Sequence, residues 1–290
     1  MKKKILQEND LKGSIKIATT EKSTIYQLKN GRIFKQYNPY VIEDQKLLDV
    51  DIESKILSAQ PLKQSPEIIV PEMAVYTPDG QFCGYIMQRA NGIDLNTYDD
   101  RLTIKQRSDL KKYAEIHYKL ESVLRRNPDI VFPDFCTCDN IFIDSKGNIQ
   151  FIDYDGLQIG SHKSYSVSTS LGSFSDIVRN PKYFTKDKYF TKELDKKSSI
   201  ILFYLSVFNI NLNNIGIINP MDGKPLTLEN IFECINLDDP DICHKTWKIF
   251  NDNQPNEYLG KDVFNLEEKY DMQVIPMPNN MRIKRLIKKK

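Results

Sequence analysis

Two neighbouring segments carry the residues that decide the fold and the chemistry of this chain. Residues 134–144 read DFCTCDNIFID and residues 151–156 read FIDYDG. The apolar runs IFI and IQFI, joined by a polar turn that contains glycine, predict a short β-hairpin. Asn140 precedes the first strand of this hairpin and Asp153 follows the second. An amide oxygen and a carboxylate are therefore expected at the same end of the hairpin.

Oxygen ligands of this kind suit a hard cation. Mg²⁺ is commonly held by one or two protein oxygens together with phosphate oxygens, so Asn140 and Asp153 are candidate metal ligands. Asp134 lies upstream of the same point, where a carboxylate could orient an attacking hydroxyl. The pattern predicts a site for Mg²⁺ and phosphate groups.

The first 90 residues predict a small antiparallel sheet with one helix. Apolar and polar residues alternate in short runs, and Asn30-Gly31 is a strong hairpin-turn signal. The predicted strands are residues 15–20, 23–28, 33–37, 73–76 and 81–88, and the predicted helix is residues 43–58.

Beyond residue 91 the pattern becomes mainly helical. A capping-box signature at residues 103–106 precedes helical spacing over residues 110–124. Residues 157–180 show no periodicity, which predicts a long loop, and helices are expected from Lys192 onward. The apolar run at 200–208 is half the length that a bilayer span needs, so we expect a buried helix there.

Composition excludes several classes of protein. The chain has 290 residues, of which 40% are hydrophobic and 28% charged, so it can form a packed core. Its net charge of +2 gives no reason to expect a nucleic-acid binder. The five cysteines lack zinc-finger spacing, and no secretory signal follows the basic start, so a cytoplasmic location is expected. Residues 282–290 form a basic stretch, expected to be a solvated tail, with acidic lipid or nucleic acid as the alternative contacts.

The order of these motifs resembles that of the protein kinase superfamily. Asn140 matches the catalytic-loop Asn, and Asp153 matches the metal-binding Asp of the D-F-G motif. The resemblance implies that Lys35 binds the α- and β-phosphates of ATP and that Glu53, in the following helix, is its ion-pair partner. Asp195, ahead of the apolar run, is similar to the Asp that opens the buried central helix of the large lobe.

The resemblance also implies a hinge and a division of the chain. Residues 85–90 resemble the hinge that meets the adenine of ATP, so Gln88 and Ala90 are candidate nucleotide-binding residues. The implied fold class is α+β, a two-lobe protein kinase-like fold with a small antiparallel-sheet N-lobe that contains one helix and a mainly helical C-lobe. The predicted boundaries are 1–90 for the N-lobe, 91–281 for the C-lobe and 282–290 for a basic tail.

The candidate catalytic carboxylate departs from the family pattern. In H-R-D-L-x-x-x-N the Asp stands one residue nearer to the Asn than Asp134 stands to Asn140. Either the loop holds one extra residue and Asp134 is the catalytic carboxylate, or the base is lost. A third interpretation makes Asp139 a metal ligand, but the match of residues 139–142 to x-N-I-L argues against it.

Two further departures concern phosphate groups. Phe132-Pro133 replaces His-Arg, which removes the usual partner of a phosphate on the 157–180 loop. Residues 18–23, ATTEKS, stand where the family has a glycine-rich loop, so backbone amides there cannot approach phosphates as closely as glycine permits.

The resemblance implies ATP- and Mg²⁺-dependent transfer of the γ-phosphate to a Ser or Thr hydroxyl of a protein. Lys35, Glu53 and Asp134 are the candidate catalytic residues, and Lys35, Gln88, Ala90, Asn140 and Asp153 are the candidate residues for binding ATP and Mg²⁺. A pseudokinase that serves as a nucleotide-binding scaffold and a small-molecule kinase remain alternatives.

Overall fold

The structure is a computed structural model of the chain. It describes residues 1–7, 10–47, 50–60, 62, 65–101, 109–136, 138–164, 174–212, 225–251, 257–276 and 282–290. These residues form a mixed α+β fold, in which a six-stranded sheet precedes most of the helices.

The six-stranded sheet contains every strand predicted in the first 90 residues. Its strands are β1 (Lys2–Ile5), β2 (Ile15–Thr19), β3 (Ser23–Gln27), β4 (Ile33–Tyr37), β5 (Pro71–Tyr76) and β6 (Phe82–Met87). Their order is β1-β5-β6-β4-β3-β2. The prediction of a wholly antiparallel sheet is wrong, because β1 pairs with β5 in parallel. This strand was not predicted, since the sequence KKKI has no alternation, and its lysines suit an edge strand.

Two helices lie between β4 and β5, where one helix was predicted. They are α1 (Pro39–Leu47) and α2 (Ile52–Ser58). Asp51 caps α2, because its side chain accepts a hydrogen bond from the backbone N–H of Ser54. The cap fixes where α2 begins, and it therefore decides which residues of that helix face the sheet.

The middle of the chain contains the predicted hairpin and the predicted long helix. In chain order the elements are β7 (Ile93–Asp94), α3 (Leu95–Arg101), α4 (Leu110–Arg126), β8 (Ile130–Val131), β9 (Ile141–Ile143) and β10 (Ile149–Phe151). Strands β9 and β10 form the hairpin, and β7 pairs with β9 on its other side. The predicted capping box at 103–106 lies outside the described residues, and Asp109 caps α4.

The predicted long loop contains regular structure. Residues 157–180 include β11 (Gln158–Ile159), which pairs with β8, and α5 (Phe174–Arg179). The prediction of an irregular segment is therefore wrong for these two parts, because strands and helices this short are set by their contacts. Residues 165–173 of that segment lie outside the described residues.

The apolar run forms a buried helix, as predicted. Helix α6 (Lys192–Phe203) continues into a π-helical turn at Tyr204–Phe208, and its residues from Ser198 to Tyr204 are all buried. Asp195, on its first turn, accepts a hydrogen bond from the backbone N–H of Phe132 at 2.8 Å. The carboxylate thus ties α6 to the segment that leads into Asp134.

The C-terminal residues form a strand, so the prediction of a solvated basic tail is wrong. After α7 (Leu228–Cys234), α8 (Pro240–Asn251) and α9 (Asp262–Lys269), β12 (Tyr270–Pro276) pairs with β13 (Arg282–Lys288). Lys284 is only 2% exposed, and its ammonium lies 4.5 Å from the ring centroid of Tyr113. Leu286 is fully buried. Alternate residues of β13, Lys284 and Leu286, therefore face the interior, and the basic residues around them obscure this pattern in the sequence.

A single cluster of buried hydrophobic residues connects the sheet, the hairpin and the helices. Each fully buried aliphatic side chain in such a cluster contributes roughly 1.5–3 kcal/mol. Representative members are Ile33, Ile56, Leu120, Ile141 and Ile201. Among the described residues no helix has both the length and the apolar character that crossing a bilayer requires.

Glu121, on α4, is a buried charge that joins three parts of this core. It is fully buried, and its carboxylate accepts hydrogen bonds from side chains on α4 and α6 and from two backbone amides ahead of α9. The donors are His117, Arg125, Ser199, Leu259 and Gly260. His117 is itself buried in this network.

Candidate functional site

Lys35 connects the six-stranded sheet to the segment that follows the β9–β10 hairpin. The side chain, on β4, is 7% exposed. Its ammonium donates a short hydrogen bond to the carboxylate of Asp153 and bonds of 2.9 Å to both oxygens of Asp155. The structure therefore brings together Lys35 and Asp153, two of the residues that the sequence nominated.

Asp155 is the most enclosed group of this cluster. Its carboxylate is fully buried and accepts hydrogen bonds from the hydroxyls of Tyr37 and Tyr85, each at 2.6 Å. Tyr37 lies two residues after Lys35 on β4, and Tyr85 is the partner of Lys35 on β6. Because alternate residues and directly paired residues share a face of a sheet, one face directs three donors at Asp155.

The backbone around Asp153 turns its carboxylate out of the hairpin. Asp153 has φ +68°, in the left-handed region that only a few residue types besides glycine tolerate. The backbone N–H of Ile152 donates to the carbonyl of Asn140 at 3.0 Å, so Asn140 and Asp153 lie at the same end of the hairpin. No hydrogen bond of the Asn140 side-chain amide is found among the described residues.

Gly156 leaves room for two carboxylates. A Cβ atom at this position would stand 2.6 Å from Oδ2 of Asp153 and 4.0 Å from Oδ2 of Asp134. The first distance is too short for a Cβ contact, so a side chain at residue 156 would displace the Asp153 carboxylate from its present position. The same geometry puts the half-buried Asp134 beside Asp153.

The predicted ion pair between Lys35 and Glu53 is not formed. Glu53 instead accepts a hydrogen bond from the hydroxyl of Tyr76 at 2.9 Å. Because Asp51 fixes the start of α2, the residue of this helix that points toward the site is Lys55, which is fully buried. Helix α2 therefore directs a basic residue toward the site, where the kinase resemblance implies an acidic one.

Lys55 holds the chain segment beyond Asp153. Its ammonium donates to the carbonyl oxygens of Asp155 at 2.8 Å, of Leu157 at 2.7 Å and of Lys163 at 2.7 Å. Burial lowers the pKa of Lys55 to about 8, against the opposing effect of the Asp155 and Asp153 charges. Helix α2 is thus fastened to backbone carbonyl groups of this segment.

Gln88 and Ala90 lie in the connection between the six-stranded sheet and the hairpin. Gln88 is exposed and Ala90 is buried. The next residue, Asn91, donates its backbone N–H to the side chain of Gln150 on β10 at 2.7 Å. This connection borders both sheets, and contact of Gln88 and Ala90 with a nucleotide stays a prediction.

The charges at the site act on one another. Burial raises the pKa of Asp153, and the negative charge of Asp155 raises it further, while Lys35 opposes both effects. Burial would also raise the pKa of Asp155, but Lys35 and the two tyrosine hydroxyls hold it far below its usual range. For Lys35, burial would lower the pKa, and the two carboxylates raise it above the ordinary value. One ammonium is thus shared by two carboxylates, and the buried Lys55 ammonium is close enough to interact with the charges of both.

The donor set fits Mg²⁺. Within the described residues no group of three or more His, Cys, Asp or Glu side chains could hold a metal ion by itself. Mg²⁺ does not require one, because it is usually bound through one or two carboxylates together with phosphate and water. Asp153 and Asn140, at the same end of the hairpin, are the oxygen donors that would hold such a cation.

Sequence reasoning missed four residues of the site: Tyr37, Lys55, Tyr85 and Asp155. Asp155 was not nominated, although two acidic residues separated by one position end the hairpin. Lys55 lies between Ile52 and Ile56, and a basic residue on the apolar side of a helix was the available signal. For the tyrosines, the signal was their place beside Lys35 on paired strands.

Comparisons with protein-family models and with curated proteins gave no match. The chemistry has to be inferred from the residues that the fold brings together.

Proposed function

We propose that this chain is a protein kinase-like phosphotransferase that moves the γ-phosphate of ATP to a Ser or Thr hydroxyl of a protein, with Mg²⁺ as cofactor. The observation that carries the proposal is the hydrogen bond between the ammonium of Lys35, in the six-stranded sheet, and the carboxylate of Asp153, after the hairpin. A cation for phosphate oxygens and a carboxylate for a metal ion meet there, as this reaction requires.

The order of the elements supports a two-lobe arrangement. The six-stranded sheet with α1 and α2 would form the small lobe, up to about residue 90. The hairpin and the later helices would form the larger lobe. The buried Asp195 supports the same assignment, because it fixes the start of α6 against the segment before Asp134.

Each residue would act by position and charge rather than by covalent chemistry. Lys35 would bind phosphate oxygens, and Asn140 and Asp153 would supply oxygen ligands to the cation. Bound Mg²⁺ would neutralise negative charge on the phosphate groups. Asp134, which faces the same glycine as Asp153, would orient the acceptor hydroxyl.

A pseudokinase is the second candidate, and one feature of the site favours it. The turn between β2 and β3 contains no glycine, so its backbone amides cannot approach phosphate groups closely. A nucleotide would then be held without fast transfer. A small-molecule kinase is the remaining alternative, and the transfer assay tests it with small alcohols as acceptors.

The direct test is transfer from labelled ATP in the presence of Mg²⁺. We expect label to appear in the chain itself or in a generic Ser/Thr protein, and Asp153→Asn should reduce transfer by about a hundredfold, since a charge-assisted contact is lost. Asp129→Asn, at an exposed position, is the matched control. Absence of transfer to protein acceptors and to small alcohols would reject the enzyme. Thermal stabilisation by ATP and Mg²⁺ without transfer would support the pseudokinase.

Asp134→Asn tests the assignment of the base separately. We expect kcat to fall by about a hundredfold or more, because a positioned acid–base group typically contributes that much. The affinity for ATP and Mg²⁺ should change little, since Asp134 is proposed to contact the acceptor hydroxyl. Transfer at the wild-type rate would reject the role of Asp134 and leave the roles of Lys35 and Asp153 untouched.

A further inference from the structure

Lys35 is held by a carboxylate that follows the hairpin and not by one from α2. Both oxygens of Asp155 accept hydrogen bonds from its ammonium at 2.9 Å. The hydroxyls of Tyr37 and Tyr85 bind one oxygen of Asp155 each, so the carboxylate cannot rotate without breaking several bonds. Asp153, by contrast, is partly exposed and can turn toward a ligand.

The elements that carry these donors do not depend on α2. Lys35 and Tyr37 lie on β4 and Tyr85 on the paired strand β6, so the sheet fixes all three donors. Asp155 lies in the short helical turn Tyr154–Gly156. Glu53, on α2, is occupied by the hydroxyl of Tyr76.

We propose that Asp155 is the positioning residue for Lys35, in place of the carboxylate that the kinase resemblance assigns to Glu53. The proposal rests on the proposed function only in that Lys35 is taken to bind phosphate. When Asp153 engages a cation, Lys35 keeps its two bonds to Asp155 and stays aligned. Asp155 acts through Lys35 and does not itself touch the substrate.

Lys55 has a different role from the one that the kinase resemblance assigns to Glu53, because it binds backbone carbonyl groups and not Lys35. Because Lys55 binds the carbonyl groups of Asp155, Leu157 and Lys163, a movement of α2 would shift the backbone after Asp153. Such a movement would act on Lys35 only through the turn that carries Asp155. The position of Lys35 is therefore set by the sheet and the 154–156 turn.

The test measures Lys35 directly in the 290-residue chain without ligand. Lysines are acetylated with acetic anhydride over a range of pH, and the rate at Lys35 is followed by peptide mass spectrometry. We expect Asp155→Asn to lower the apparent pKa of Lys35 and to raise its acetylation rate about tenfold, since each pKa unit changes the free-amine fraction tenfold. Glu53→Gln should leave both quantities unchanged. An equal effect of Glu53→Gln, or none in folded Asp155→Asn, overturns the proposal.

Two further measurements keep the result interpretable. If Asp155→Asn does not fold, the double variant Tyr37→Phe, Tyr85→Phe keeps the rings and removes two hydrogen bonds to Asp155. An unchanged pH profile of acetylation at Lys35 in this double variant overturns the proposal.

Affinity for ATP with Mg²⁺ is measured in parallel, and Asp155→Asn should weaken it about tenfold. A wild-type chain that binds no nucleotide rejects the proposed function, whereas acetylation still decides the role of Asp155.

Discussion

Replacing Lys35 with Met is expected to lower the free energy of unfolding by about 3–5 kcal/mol, the range found when one partner of a buried ion pair is removed. The reason is local. Asp155 is fully buried and Asp153 lies beside it, so the variant retains two adjacent carboxylates without their shared cation. Transfer of phosphate should be lost as well, because the same ammonium is proposed to bind the phosphate oxygens.

The pH dependence identifies the cause of this loss. In the wild type the pKa of Asp155 is lowered, so its contribution to stability is present above its unfolded pKa and disappears as the pH falls through the folded value. In Lys35→Met both carboxylates bind protons more readily, and protonation removes their repulsion. The deficit should therefore be largest near neutral pH and smaller at about pH 5.

Urea unfolding at the two pH values measures the effect. Lys16→Met, at an exposed position on strand β2 of the same sheet, is the matched control and should change stability by less than about 0.5 kcal/mol. A deficit in Lys35→Met below about 1 kcal/mol, or one that does not depend on pH, would contradict a buried ion pair as its source.

Local sequence patterns were sufficient to predict the elements whose apolar residues alternate or recur at helical spacing. The strands of the first sheet, the hairpin that carries Asn140, the long helix α4 and the buried helix α6 all have a periodicity of their own. Strand β1 and the C-terminal hairpin have none that is visible among their lysines. Their pairing depends on distant partners, such as Tyr113 on α4, which covers Lys284.

The candidate site was predicted in part for a similar reason. Asp153 could be nominated because it follows a predicted strand, and Lys35 because its place in the order of motifs resembles that of the kinase lysine that binds phosphate. The ion pair of Lys35 could not, since Glu53 and Lys55 lie about 200° apart around α2 and the packing of the helix decides which of them faces inward. A buried lysine is also rare enough that the sequence favours an exposed one.

Replacing Glu121 with Gln is expected to remove a large part of the acid dependence of stability that arises from the described helices. Burial alone would raise the pKa of Glu121, but His117, Ser199 and Arg125 together lower it to about 2. Because the folded pKa lies below the unfolded value, this carboxylate stabilises the fold above about pH 4.5, and the contribution is lost as the pH falls toward 2. A shift of this size corresponds to about 3 kcal/mol.

The measurement is urea unfolding of wild type and Glu121→Gln between about pH 6 and pH 2.5, the interval in which the linked proton is taken up. Glu115→Gln, at an exposed position on the same helix, should retain the wild-type slope. Glu121→Gln should be less stable at pH 6, because its NH₂ group cannot accept a hydrogen bond and the backbone N–H of either Leu259 or Gly260 therefore loses its acceptor. If both variants keep the wild-type slope, Glu121 is not the group that links this core to pH. If only Glu121→Gln flattens it, one buried carboxylate controls how α4, α6 and the segment before α9 respond to acid.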